Sequence, residues 1–238
     1  MARILTTTEY LETPRPNLTW LIDRQLPHPG MLLLEGPPKS GKSFLAFHLA
    51  RNISQGKPFL GWATKQSKVL YLQFDTSELI WRERLQKIQS SGVDLSGSLY
   101  TVHPDDMLLP INILNPQHYE WLRKVVTDCD PELVILDVFR EIHSADENDS
   151  THMKVVGDML ISIFRGRSLI LVHHSKKIPD DVFEPDPAQV ARGSSYLTGK
   201  VDALWLLYKN KLFIQSRTSE PLTVSLKQSS PSGLWIIS

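Results

Sequence analysis

A lysine and a serine, Lys42 and Ser43, stand just before the end of the run Gly36-Pro37-Pro38-Lys39-Ser40-Gly41-Lys42-Ser43-Phe44. Two glycines with four residues between them, followed at once by an ammonium and a hydroxyl, form the spacing of a phosphate-cradling loop between a strand and a helix. The backbone N–H groups from Lys39 to Ser43 are expected to turn inward around phosphate oxygens at the positive end of the helix dipole. Lys42 then reaches the β- and γ-phosphates, and the Ser43 hydroxyl ligates Mg²⁺. Pro37 and Pro38 have no N–H to offer. They occupy the approach to the loop and stiffen it, because each fixes φ near −65° and Pro38 keeps Pro37 out of the helical region. The expected ligands are ATP and Mg²⁺.

A magnesium triphosphate needs further polar groups, and three apolar runs end in them. Leu133 to Leu136 run directly into Asp137. A buried strand closing on a carboxylate is otherwise costly, so Asp137 is expected to hold the metal through water. The run "VLYLQF" is followed by Asp75, placed to orient or deprotonate an attacking water. "SLILVHH" ends in His173 and His174, where an imidazole can sense the γ-phosphate or hydrogen-bond the same water. Open α/β sheets bind ligands at the carboxyl ends of their strands, and this convergence favours hydrolysis over binding alone.

The elements that must position these groups alternate. Apolar runs at 31–35, 69–74, 98–102, 133–138 and 168–174 read as buried strands. Helical spacing appears over 43–53, after Ser77 with Trp81, Leu85 and Ile88 on one stripe, and after Ser150 with Met153, Val156, Leu160 and Ile163. Asp149 or Ser150 caps the last of these. Alternation of this kind predicts an α/β fold: a mainly parallel sheet with helices on both faces. Four close-set apolar runs after residue 202 predict that it finishes in antiparallel C-terminal strands. The chain reads as one domain, with an N-terminal segment 1–29, a nucleotide-binding core 30–208 and C-terminal hairpins 209–238.

Composition excludes several other classes. The 238 residues carry 26 Lys+Arg against 26 Asp+Glu, so the formal charge is zero and gives no global nucleic-acid footprint. The single cysteine, Cys129, excludes an intrachain disulfide and suits a reducing compartment. There is no apolar run of signal-peptide or membrane-span length, so a cytoplasmic protein without membrane attachment is expected. Asn-Lys-x-Asp, the guanine-reading pattern, is missing: "NKLF" at 210–213 has Phe in the place of Asp.

The stretches "GPPKSGKSFLAFHLA", "KPFLGW", "VLYLQFDTSE", "LVILDVFREIHSADENDS", "LVHHSKK" and "RGSSYLTGKVDAL" together resemble the RecA-like P-loop ATPases of the RepA type. These are relatives of the hexameric replicative helicases of plasmids and phages. The resemblance runs from about Leu21 to the last strands. It implies that Lys42 and Ser43 are the phosphate-loop lysine and hydroxyl, Asp137 the metal-holding acid and His174 the sensor histidine. It places the catalytic acid at Asp75, where the family usually has Glu, one methylene longer, so slow hydrolysis is implied unless Glu78 assists. It further implies a nucleotide shared between subunits of a ring, usually of six, with a basic finger from the neighbour; Arg217 is the first candidate, Arg192 and Lys200 the next. Single-stranded DNA is a candidate partner, although both loops that would face it are acidic. Two readings therefore stand: a DNA-dependent, helicase-like motor, and a slow ATP-switched assembly or regulatory module acting through protein partners.

Overall fold

The computed structural model describes residues 3–14, 17–102, 110–193 and 195–238. Arg15 and Pro16 of the early "ETPRPN" loop and Ser194 of the "RGSSYLTGK" stretch lie outside them. After a short helix α1 (Thr7–Glu12) come β1 (Thr19–Ile22), β2 (Leu26–His28), β3 (Met31–Gly36), α2 (Lys42–Gln55), β4 (Val69–Gln73), α3 (Glu78–Ser90) and β5 (Leu99–Val102). The second half runs α4 (Pro116–Cys129), β6 (Leu133–Asp137), a 3₁₀ turn (Phe139–Ile142), α5 (Ser150–Ile163), β7 (Ser168–His174), α6 (Pro187–Val190), α7 (Ser195–Lys200), β8 (Ala203–Tyr208), β9 (Lys211–Ser216), β10 (Leu222–Gln228) and β11 (Trp235–Ile237).

One nine-stranded sheet has the order β11-β10-β9-β8-β3-β7-β6-β4-β5, and β1 and β2 form a separate hairpin. The strands from β8 to β5 in that order are mutually parallel, while β9, β10 and β11 run antiparallel. The parallel part and the antiparallel finish match the fold expected from the sequence. Strands β4 and β6 are buried along their whole length, which is why they are unbroken apolar runs and not alternating ones.

Strand pleating divides the buried side chains into two layers. Leu34, Tyr71, Ile135 and Ile170 pack with Phe47 of α2 and Trp81 and Ile88 of α3. Leu33, Leu136 and Leu171 pack on the other face with Leu122 of α4 and Met153, Val156 and Leu160 of α5. Asp149, not Ser150, caps α5, accepting the N–H groups of Thr151 and His152 at 2.7 and 3.1 Å. Sequence patterning does not predict α4, yet its start is well marked: Pro116 stands at N1 and the Asn115 side chain accepts the Gln117 N–H. Among the described residues, no helix is long and apolar enough to cross a membrane.

Candidate active site

Strands β3, β7, β6 and β4 are consecutive in the sheet, and their pairing lines up the ends. Gly36 pairs with His174, Asp137 with Val172, and Gln73 with Asp137. The groups that follow or close these strands surround a cavity of about 280 Å³, lined by Lys42, Ser43, Asp75, Arg84 and His174 among others.

The loop into this cavity starts at a glycine because there is no room for anything else. A Cβ on Gly36 would stand 2.5 Å from the Leu207 carbonyl oxygen and 2.9 Å from Ser40 Oγ. Gly36→Ala must therefore push β3 from β8 or distort the loop; overpacking of this kind costs about 1–3 kcal/mol. A lowered midpoint in denaturant with weakened nucleotide uptake is the expected outcome. Along the loop, Pro38 is exposed, Lys39 has φ +62°, and the Ser40 N–H donates to the Pro37 carbonyl at 3.3 Å. Lys39, Gly41, Lys42, Ser43 and Phe44 line the cavity.

Lys42 is 5% exposed. Its Nζ donates to the carbonyl oxygens of Gly36 and Pro37 at 3.0 and 2.8 Å and lies 3.4 Å from His174 Nδ1. Burial pulls the ammonium down from 10.5 to about 8, against the pull of Asp137, Asp75 and Glu35. His174 is lowered too, first by burial and then by Lys42, so at neutral pH it presents a neutral ring. The pleat separates the two histidines: His174 lies beside Lys42, whereas His173 is 3.5 Å from Glu147 and 1% exposed.

Asp137 is fully buried. Its Oδ1 accepts the Ser43 hydroxyl at 3.2 Å and its Oδ2 accepts the Tyr71 hydroxyl at 2.6 Å. Tyr71 is held by stacking on Trp81 and by the edge of Phe47, and burial with the adjoining carboxylate pushes its hydroxyl up, keeping it a donor. Burial raises Asp137 in spite of both hydrogen bonds. A buried carboxylate short of positive charge, beside a serine hydroxyl at the cavity wall, is a hard-oxygen donor pair of the kind Mg²⁺ takes alongside phosphates and water. Ser43 and Asp137 therefore fit the metal. Among the described residues, no group of three or more His, Cys, Asp or Glu could hold a metal ion by itself.

Asp75 is exposed at the cavity rim. The turn carrying it is fixed by the buried Gln73, whose Oε1 accepts the N–H groups of Asp75 and Thr76 at 2.7 and 2.9 Å. Arg84 of α3 donates to Thr76 Oγ1 at 3.3 Å and lies over the Phe44 ring, 5.8 Å from its centre. Phe44 and Arg84 also border an adjoining cavity of about 250 Å³ closed by Pro231, Ser232 and Gly233. Glu78 is paired with Arg82, one turn along α3.

Tyr71, Gln73 and Arg84 are site residues that no motif of the sequence picks out. Strand parity was the available signal for the first two, since residues 71 and 73 share the α2 face with Asp137. For Arg84 it was the helix wheel, which sets it next to the Trp81 stripe.

The remaining candidates do not line the cavity. Arg217 follows β9 at the end where Ser216 pairs with Ala203, and Ala203 in turn pairs with Leu32, four residues before Gly36. It donates to the Gly199 carbonyl, so it stands at the opposite end of the sheet from its own cavity. Arg192 lies 3.4 Å from Glu147, and Lys200 sits over the Tyr196 ring at 5.5 Å. The first acidic loop is less exposed than its composition suggests, because Glu147 is 7% exposed. The thiol of Cys129 is half-buried and raised by that burial.

The family model described as an AAA domain matches residues 2–180. No curated protein sequence matches the chain. One solved ATPase domain superposes with a TM-score of 0.65 at 15% identity, over 97% of this chain and 95% of that one. A DnaB-like replicative helicase, solved for its interactions with primase, gives 0.63 at 15% identity, over 96% of this chain and 66% of its own. A KaiC-like protein of the hyperthermophilic archaeon Pyrococcus horikoshii gives 0.58 at 12% identity, over 92% and 93%. These likenesses identify the fold as that of the RecA-like P-loop ATPases.

Proposed function

The chain belongs to the AAA domain family, and from that premise we propose that it binds Mg-ATP in the cavity at the ends of β3, β7, β6 and β4 and hydrolyses it. The observation that carries the reading is the convergence of Lys42, Ser43, Asp75 and His174 on one cavity, with Asp137 bonded to Ser43 behind it. The adjoining cavity bordered by Phe44 and Arg84 receives the nucleoside. Lys42 exchanges its carbonyl partners for β- and γ-phosphate oxygens and stabilises the charge that spreads over them. Ser43, and Asp137 through water, would hold the magnesium ion, which would neutralise charge on the phosphates. Asp75 takes the proton of the attacking water as its oxygen bonds to the γ-phosphorus and the bond to the bridging oxygen breaks, releasing ADP. His174, neutral and able to donate from its second nitrogen, hydrogen-bonds the γ-phosphate or that water.

Turnover is proposed to need a head-to-tail neighbour. Arg217 cannot reach its own cavity across the sheet, as a finger serving another subunit must not, and repeated contacts of that kind close into rings, six being the expected number. The likeness to a replicative helicase favours a DNA-dependent, helicase-like motor. The exposed Asp75, one methylene shorter than Glu, keeps the second reading in view: a slow ATP-driven switch acting on protein partners. Asp75→Glu is then expected to raise turnover and Asp75→Asn to lower it, in a steady-state phosphate-release assay. The motor reading predicts that single-stranded DNA accelerates ATP turnover by the assembled particle, with its mass in ATP measured alongside. A ring whose turnover ignores DNA overturns the motor and leaves the switch.

A further inference from the structure

Trp235, the first residue of β11, is 2% exposed. Its indole N–H donates to the carbonyl of Gly41, 194 residues away, at 3.0 Å. The same oxygen accepts the Leu45 N–H at 3.0 Å in the first turn of α2. A Cβ on Gly41 would lie 2.8 Å from Trp235 Cζ2 and 3.2 Å from Gln228 Nε2, and Gln228 is the cross-strand partner of Trp235. Gly41 holds φ at +93°, a left-handed conformation that costs glycine little and other residues more. Next along the hairpin, Gly233 approaches the Phe44 ring so closely that a Cβ there would stand 3.2 Å from it.

These contacts close on one peptide unit. The Gly41–Lys42 peptide is planar, so its N–H points away from its carbonyl. With the carbonyl held by both the indole and Leu45, the Lys42 N–H is aimed out of the end of α2, toward the cavity. Without the indole, the Leu45 bond remains, but the peptide is free to tilt about it.

We propose that Trp235 is a positioning residue for polyphosphate binding: its indole N–H fixes the Gly41–Lys42 peptide, so that the last hairpin of the chain sets the affinity of the first loop. This rests on the reading of the cavity as an ATP site. It adds that the antiparallel strands, which do not line the phosphate cavity of their own chain, keep the loop in its anion-binding shape.

The test compares wild type with Trp235→Phe, which keeps an aromatic ring and removes the N–H. Two probes, Mg-ATP and magnesium tripolyphosphate, are titrated by calorimetry. Loss of one neutral hydrogen bond predicts that both Kd values rise together by about threefold to tenfold, while turnover at saturating ATP changes by less than about twofold. Kd values that stay put, whatever happens to the melting temperature, overturn the proposal and reduce Trp235 to packing the hairpin; a Kd that rises for ATP alone also overturns it. Wild type that takes up neither probe sinks the ATP reading as well, so the two failures are distinguishable. Should Trp235→Phe not fold, the wild-type indole ¹⁵N–H resonance of Trp235 decides: a shift on adding tripolyphosphate supports the proposal, and an unmoved resonance overturns it.

Discussion

Lys42→Met is expected to cut ATP turnover by at least about a hundredfold and at the same time to raise the melting temperature. On the proposed role of Lys42, the first effect follows from the loss of a positive donor to developing phosphoryl charge, where removal of a single preorganised donor commonly costs a factor of about 10²–10³. The second follows from burial. Lys42 is lowered from 10.5 to about 8 in the folded chain, so folding carries a cost wherever the ammonium is kept charged. That cost is complete below pH 8 and fades between about pH 8 and 10.5, because the folded chain then gives up its proton before the unfolded chain does. Methionine, of similar length and without charge, removes the cost. The gain in stability should be largest at neutral pH and shrink toward pH 10, which thermal unfolding at several pH values will show. Nucleotide affinity of the wild type should fall as pH rises past about 8, in step with loss of the Lys42 proton.

Asp137→Asn carries the second large effect. The amide keeps an oxygen for Tyr71 and stays within reach of Ser43, so the fold should persist, but the charge proposed to hold magnesium is gone. Turnover is expected to drop by about 10²–10³, and the magnesium dependence of ATP binding should flatten. Burial raises Asp137 above its ordinary value of 3.8, so the carboxylate destabilises the fold wherever it is ionised. The asparagine variant should melt higher at neutral pH, and the difference should vanish as pH falls through the folded Asp137 value toward 3.8. Both substitutions exchange activity for stability, the pattern expected where a site holds charges that the fold alone would discard.

Much of this is legible in the sequence, for reasons that can be named. Strands buried on both faces leave unbroken aliphatic runs, and the residue that ends such a run has little freedom of type; Asp137 and His174 therefore stand out. The phosphate loop is legible because Gly36 and Gly41 are each forced by a close neighbour or by a positive φ. Helix α4 is not legible, because Leu122 and Val126 are its only buried residues and its other faces are polar or half-exposed. Sequence spacing also gives no sign that Tyr71 holds Asp137 or that Trp235 holds Gly41. Those pairs are 66 and 194 residues apart, and only the strand order brings them together. Glu35 shows the opposite hazard. It reads as a strand terminus, yet it is fully buried and pushed up to about 8 by that burial.

The central claim is that the loop from Gly36 to Ser43 and the buried Asp137 form one Mg-triphosphate site. Calorimetric titration of ATP into the chain, with magnesium and then with magnesium chelated, tests it most directly. Saturable heat at one site per chain is predicted with magnesium present, and a clearly weaker Kd without it. No heat in magnesium, or an affinity indifferent to its removal, would contradict that claim.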